Sequence, residues 1–424
     1  MNMASHLYNK LQISSDQASL LAQTYFGITG SATPLSGEID FNFRIKTSAG
    51  SSFILKVSRP VMDLQYIDFQ LKILLHLSET NPELTVPKII LNKEGNPYTT
   101  FTDDFGQLRL VRMLTWIDGR LWSSVHPITE DFLYNLGKAA GEITKSLYVL
   151  HHPFAKRDFE WDIDQVLWTE KFLYLFNTDD KQIVTHFLQR FVARKSHLEG
   201  LRKSIIHNDI NDNNILVCQN PAHPDTISII DFGDAIYTST INDLAVCITY
   251  AVMEKPDPLQ AASTMVKGYH EKFALHDDEL KVLHLLVAMR LIISVTKSAR
   301  NKIDEPENEY LLISEKPAWT LLRQWINIDE HLAYYTFRHA CGLVPYPDLE
   351  MFNTWANNHP FGIAALFPTT GIQQASHIDM SVGSTWLGHR ADFTDNDLMA
   401  FRIKEWTRAH PGTMVANGYL ETRP

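Results

Sequence analysis

Apolar residues recur at helical spacing through most of this chain and alternate strictly in one early stretch. Phe132, Leu133, Leu136, Ala140, Ile143 and Leu147 repeat every three or four positions, which predicts an amphipathic helix over Glu130–Leu150. The same spacing predicts helices over Ile67–Leu77, Ile163–Phe176, Lys181–Lys195, Asn242–Met253, Leu259–Phe273, Asp277–Ala299 and Pro317–Asp329. A shorter one, Asp16–Phe26, is opened by Ser14 or Ser15, whose hydroxyl can cap free backbone amides. Phe41, Phe43 and Ile45 alternate instead with Asn42, Arg44 and Lys46. After a turn at Ser48–Ser51, Phe53, Leu55 and Val57 alternate with Ile54 and Lys56. Two period-two runs around a glycine-containing turn predict a β-hairpin. Further strands reach about Leu114, and Asp118-Gly119 closes them. Strands thus crowd the early chain and helices fill the rest, an α+β order.

A second hairpin carries polar groups of a particular kind. Ile215, Leu216 and Val217 read as a short strand, Asn220, Pro221, Pro224 and Asp225 as a turn, and Ile227–Ile230 as a return ending at Asp231. In an antiparallel hairpin the start of one strand meets the end of the other. Asn214 and Asp231 should therefore stand side by side, placed for one cation. Asp209 lies on the loop before the first strand, within reach of an acceptor hydroxyl. His207, Asp209 and Asn214 fall in an H-x-D-x-x-x-x-N frame, and Asp231 opens D-F-G. Phosphoryl transfer needs these residue types in this order: a carboxylate at the acceptor hydroxyl, and oxygen ligands holding Mg²⁺ against the phosphates. Singly, Asp and Asn are ordinary turn residues. The combined frame argues against an incidental surface hairpin.

The early hairpin supplies the matching half. Lys56, in I-L-K-V, stands where a kinase places the lysine that holds the α- and β-phosphates. The loop Leu35-Ser36-Gly37-Glu38 would cover the phosphates, with Ser36 and Gly37 as contacts. It has one glycine where protein kinases carry three.

The segments SGEIDFNFRI, FILKVS, LVRMLTWIDGRLW, HNDINDNNILV and IDFGDAIYTSTINDLAV resemble those of the aminoglycoside phosphotransferase and choline kinase superfamily, and most of all its hydroxylysine kinase-like branch. The resemblance implies a two-lobed protein-kinase-like α+β fold: a β-rich N-lobe over 1–112, a helical C-lobe over 113–342, and a C-terminal extension or connector over 343–424. It implies that Asp209 is the catalytic base or the carboxylate that orients the acceptor hydroxyl, that Asn214 and Asp231 hold Mg²⁺, and that Lys56 binds the phosphates of ATP or GTP. It makes Val111–Trp116 the segment meeting the purine, through Met113 and Thr115. Asp243 and His207 become structural supports of the catalytic loop. Two positions depart from the superfamily pattern. Asn208 replaces the usual glycine between His207 and Asp209, although asparagine tolerates left-handed backbone better than most residues. Gln70 stands where a glutamate would pair with Lys56, as it does in the similar branch, and Asp68 is turned off that face by about 200°.

Composition narrows the partners. The chain has 424 residues, 45% of them hydrophobic, and a formal charge of −11. No basic cluster interrupts that balance, which argues against a nucleic-acid footprint, and an acidic C-lobe would suit a cationic acceptor. Cys218, Cys247 and Cys341 are widely spaced without metal spacing, as in a reducing cytoplasmic compartment. The start MNMASHLYNK shows no signal peptide. Leu283–Val295, interrupted by Arg290, is too short to span a bilayer and predicts a buried helix, with Arg290 either in a structural ion pair or near the substrate. His151-His152 adjoins a proline turn and reads as a loop.

Residues 343–424 carry Pro345, Pro347, Pro360, Pro368 and Pro411 and predict an extended connector. SHIDMSVGSTWLG and NGYLETRP resemble the connector of larger proteins in which a phosphotransferase-like domain precedes a lysostaphin-type metallopeptidase and a class III aminotransferase; no metallopeptidase or pyridoxal-phosphate site is expected here. Three readings stay open from sequence: a kinase acting on a hydroxyl of an amino-acid-like or amino-alcohol acceptor, a non-catalytic nucleotide-binding module, and an antibiotic or protein kinase. Against a protein target, no A-P-E signature follows D-F-G.

Overall fold

A computed structural model describes residues 12–35, 37, 40–60, 63–217, 227–304, 315–344, 377–380 and 419–421. The chain forms two compact units, each assembled from separate stretches. Residues 1–126, 146–157 and 204–237 make the first; 127–145, 158–203 and 238–424 make the second. This division differs from the sequential blocks expected from sequence, because the second hairpin belongs with the early strands. The physical reason is pairing: Arg120–Leu121 runs antiparallel to Leu216–Val217.

In the first unit, helix α1 (Ser15–Phe26) is opened by Ser14, which exchanges hydrogen bonds with Gln17 in a capping box, and ends at left-handed Gly27. Such caps satisfy amides and carbonyls that the helix cannot. Strands β1 (Gly30–Leu35), β2 (Phe41–Thr47) and β3 (Ser52–Val57) precede α2 (Leu64–Thr80), and β4 (Ile89–Ile90), β5 (Thr99–Thr102) and β6 (Leu108–Thr115) follow. They form one antiparallel sheet in the order β1-β2-β3-β6-β4, with β5 also on β6. Alternation sorts its two faces. Phe43, Ile45, Leu55, Val57, Val111 and Met113 pack with Ala18, Leu21, Ala22 and Phe26 of α1 in one core cluster. The opposite face carries Asn42, Lys56 and Arg112 in one cross-strand row. Shifting the register by a single residue would bury Lys56 in the core. The unit continues with β7 (Arg120–Leu121), β8 (Lys203–Ile206), β9 (Ile215–Val217), β10 (Ile227–Ile229) and β11 (Ile236–Ser239), Lys203 and the last two residues of β11 belonging to the second unit.

The second unit is helical: α3 (Glu130–Leu147), α4 (Thr178–Ala193), α5 (Lys195–Glu199), α6 (Asn242–Ala251), α7 (Pro258–Lys272), α8 (Asp277–Asp304), α9 (Glu315–Trp325) and α10 (Glu330–Ala340). The stretch Ile163–Leu175, expected as an α-helix, is wound in 3₁₀ turns. Asp162 holds its first turn through the Asp164 amide and Gln165 side chain. Helix α10 was not legible in sequence, although Ala333, Tyr334, Tyr335 and Phe337 on it are buried. Helix α8 is longer than expected and, by length and composition, apolar enough to cross a membrane. Yet 89% of that window is buried inside the protein, and a helix apolar all round is a core helix when other elements cover it. Arg290, at its centre, donates to the Trp161 carbonyl (3.0 Å) and Tyr250 hydroxyl (3.2 Å) and lies 4.5 Å over the Trp161 ring. Residues 377–380 pair antiparallel with 419–421; the proline-rich remainder of the extension lies outside the described residues.

Helices α3 and α7 meet at glycines. A β-carbon on Gly137 would stand 2.2 Å from the Met265 carbonyl oxygen, and one on Gly268 2.1 Å from that of Tyr134. Helix propensity alone would make Gly137→Ala stabilising by about 1 kcal/mol. Overpacking against rigid backbone costs about 1–3 kcal/mol or more, so it should win. Gly137→Ala should lower the urea midpoint of unfolding; a raised midpoint would mean the helices do not touch there.

Candidate active site

The polar groups singled out in sequence lie largely within the first unit. Hairpin β9–β10 forms as expected, with Ile215 opposite Ile229 and Val217 opposite Ile227. Beyond its last pair, the Ile230 amide donates to the Asn214 carbonyl at 2.9 Å, which puts Asn214 beside the residue preceding Asp231. The Asn214 side-chain Nδ2 donates to Asp209 Oδ2 (2.6 Å) and to the Asp209 carbonyl (3.0 Å). Its nitrogen is thus turned toward Asp209, leaving Oδ1 as the end available to a cation. Asp209 Oδ1 accepts from Asn211 Nδ2 at 2.9 Å. Both carboxylate oxygens are therefore oriented. The loop and hairpin hold these groups through short-range bonds.

His207 is fully buried. Its Nδ1 accepts from the Asp209 amide (3.2 Å), so its Nε2–H donates to the Ile230 carbonyl (3.1 Å). The imidazole ties the loop carrying Asp209 to the hairpin. Asn208 has φ +66°. The backbone here is left-handed, the conformation that makes glycine usual, and asparagine is among the few residues that adopt it at little cost. Asp231 is left-handed too, with φ +62°, and its Oδ1 accepts from the Gly233 amide at 3.1 Å.

Asp231 is open to solvent yet ringed by protein groups. The Lys56 ammonium, foremost, holds its carboxyl below the ordinary 3.8, helped by the Gly233 hydrogen bond, His207 and Arg112 against the opposing effect of desolvation. Lys56 and Asp231 are thereby brought into one electrostatic site. Gly233 is tightly enclosed: a β-carbon there would stand 3.0 Å from the Tyr66 hydroxyl, 3.1 Å from Asp231 Oδ1 and 3.9 Å from the Gln70 amide nitrogen. Tyr66 and Gln70, one turn apart on α2, both face this turn. Burial, then the charges of Asp234 and Asp231, pushes the Tyr66 phenol well above its usual range. It stays neutral and can donate.

Other expected residues are placed differently. Gln70 Oε1 accepts from Arg112 Nη2 at 2.9 Å, and the same nitrogen donates to Asp40 Oδ2 at 2.7 Å. Asp68, rejected from sequence as a partner for Lys56, pairs with His152 at 3.0 Å, in the loop read there as non-metallic. Met113 is buried and paired on both sides, with Leu55 and Ile90. The Thr115 amide donates to the Lys88 carbonyl, and its hydroxyl accepts from the Lys88 amide. Gly37 is closely packed, since a β-carbon there would meet the Asn42 side chain. Ser36 lies outside the described residues. Asp243 is buried in the second unit, where Thr144 Oγ1 donates to Oδ2 at 3.0 Å.

Sequence reasoning passed over Arg112, Asp40 and Tyr66. Arg112 left one visible signal, a charged residue inside the apolar run L-V-R-M-L, where a buried arginine requires a partner. Among the described residues no group of three or more His, Cys, Asp or Glu could cage a metal. The donor set suits Mg²⁺, which takes one or two protein oxygens and completes its shell from phosphates and water.

Comparison with known proteins agrees with this geometry. Residues 31–277 match the phosphotransferase enzyme family. The mouse (Mus musculus) hydroxylysine kinase is 29% identical over 339 residues, covering 74% of this chain and 89% of that protein. The bovine (Bos taurus) hydroxylysine kinase is 29% identical over 349 residues, 76% and 92%. Among solved structures, an amicoumacin kinase in complex with AMP-PNP, Ca²⁺ and Ami superposes with TM-score 0.58 at 18% identity, covering 77% of this chain and 99% of that one. A microcompartment-associated aminopropanol kinase gives 0.56 at 18%, covering 72% and 95%. These likenesses show the kinase-like α+β fold.

The Lys56–Asp231 attraction has a pH signature. A depressed carboxyl contributes stability above its unfolded pKa and loses it as pH falls through the native one. Lys56→Met should therefore lower Tm at pH 7, and the loss should shrink as pH falls below about 4, where the carboxyl of the unfolded chain begins to protonate. A loss equal at pH 7 and pH 3 would show that the two side chains do not interact.

Proposed function

We propose that this chain, which belongs to the phosphotransferase enzyme family, is a small-molecule kinase moving the γ-phosphoryl group of ATP or GTP to a hydroxyl of an amino-alcohol or hydroxylysine-like acceptor. The observation that carries the reading is the Asp209–Asn214 contact at 2.6 Å joined through the hairpin to Asp231. It sets a base and two cation donors within one small framework. The hydroxylysine kinase relatives support the acceptor class.

Asp209 accepts the acceptor's hydroxyl proton as its oxygen forms a bond to the γ-phosphorus and the bond from that phosphorus to the bridging β,γ-oxygen breaks. The nucleoside diphosphate departs with that bridging oxygen. Asn211 and Asn214 keep both Asp209 oxygens aimed, which is positioning rather than proton chemistry. Asn214 Oδ1 and Asp231 would hold Mg²⁺, which when bound neutralises charge developing on the phosphate oxygens. Lys56 would hold the α- and β-phosphates, and the closely packed Gly37 would lie over them. The purine edge is assigned to the end of β6, Thr115–Trp116, since Met113 is paired on both sides.

The non-catalytic reading drew on Asn208 and Gln70. Left-handed Asn208 leaves the loop in working geometry, and Gln70 has a partner of its own, so that reading loses its grounds. Asp209→Asn and Asp231→Asn should each cut turnover by at least about 10²-fold, measured as nucleotide consumption with Mg²⁺ and 5-hydroxylysine first, then other hydroxylated amines, amino acids and sugars. Turnover within a few-fold of wild type in either variant refutes the mechanism. Phosphorylation of an antibiotic but of no amino alcohol would refute the acceptor class alone.

A further inference from the structure

Lys56 and Arg112 are direct cross-strand partners on one face of the sheet, and like charges so placed repel unless each has its own counter-charge. Asp231 lies in the field of Lys56, while Asp40 and Gln70 are hydrogen-bonded to Arg112. Arg112 and Asp40 are 2% and 7% exposed, and Gln70 is 7% exposed, so this is a built-in cluster, not a surface encounter. It joins three elements: Asp40 at the foot of β2, Arg112 on β6, and Gln70 on α2.

The amide of Gln70 has two ends with two jobs. Oε1 accepts from Arg112, which turns Nε2 toward Gly233, beside Asp231. A carboxylate at this position would satisfy Arg112 equally but would set a second negative charge against Asp231. Among the described residues, Arg112 Nη1 and Asp40 Oδ1 are buried without a hydrogen-bond partner, because Nη2 alone serves both acceptors. The ion pair is therefore single-stranded where a two-pronged one is geometrically available to arginine, and it is sensitive to small shifts of α2.

We propose that Asp40, Arg112 and Gln70 form the positioning cluster of the nucleotide half-site: Arg112, not Lys56, is the cation that docks α2 against the sheet, and position 70 requires a neutral amide. The glutamine is then a working part that frees Lys56 for phosphate, rather than a weakened lysine partner. The proposal rests on the kinase reading above and deepens it. These residues act through Lys56 and Asp231, so none is a catalytic residue.

The two views of Gln70 predict opposite outcomes. If it were a decayed glutamate, Gln70→Glu would tighten nucleotide handling. If the cluster acts as described, Gln70→Glu should weaken binding of Mg²⁺–nucleotide about tenfold, the scale of coupling between neighbouring groups, and raise KM for nucleotide while KM for acceptor stays within about twofold. Binding is read by calorimetric titration of the full chain with Mg²⁺ and AMP-PNP or GMP-PNP, which needs no acceptor. Gln70→Glu binding as tightly as wild type, or more tightly, overturns the proposal. Asp40→Asn, which keeps an oxygen for Arg112 but removes the counter-charge, should weaken the same titration without changing acceptor KM; unchanged binding again overturns it. Asp40→Asn carries the test if Gln70→Glu does not fold. Wild-type protein binding neither nucleotide would instead sink the kinase reading itself.

Discussion

The backbone hydrogen bond from Ile230 to Asn214 is the constraint on which the site depends. It extends the β9–β10 ladder by one rung, so the residue that begins one strand stays level with the residue that ends the other. Everything chemically useful is hung from that rung: Asn214 orients Asp209, His207 bonds the Ile230 carbonyl, and Asp231 follows directly. Antiparallel pairing does here what long-range packing does elsewhere, because groups brought together by a hairpin need no distant helix to align them.

Charge is distributed around this framework in matched pairs. The sheet face that carries Lys56 also carries Arg112, and the unit accommodates both only because carboxylates arrive from separate elements. Asp231 comes from the hairpin and Asp40 from the foot of β2. For the buried Arg112–Asp40 pair, removing one member strands the other, which is typically far worse than losing both. The arrangement gives the half-site a fixed balance of charge before any phosphate adds its own.

Legibility followed sequence distance. The H-x-D-x-x-x-x-N frame and D-F-G turn were readable because their geometry is set by residues a few positions apart. The sheet's two faces were readable because alternation is local. Arg112 was not, since its partners lie 72 and 42 positions away and depend on register and helix rotation that no short window encodes. The same reason hid the interleaved units: Arg120–Leu121 offers only two residues of strand pattern, yet its pairing with β9 assigns the hairpin to the first unit. Helix α10 escaped because its buried face has two tyrosines and an alanine beside a single phenylalanine, a weak contrast with its polar neighbours. The 3₁₀ winding at Ile163–Leu175 turns on the Asp162 side chain, which periodicity does not register.

The left-handed backbone at Asn208 constrains how this loop can vary. Only glycine, asparagine and aspartate enter that region at small cost, so substitution there is confined to a very short alphabet. Asparagine keeps the left-handed backbone that glycine would adopt there. A search pattern that insists on glycine between the histidine and the aspartate would discard working enzymes, whereas one written in dihedral angles would keep them.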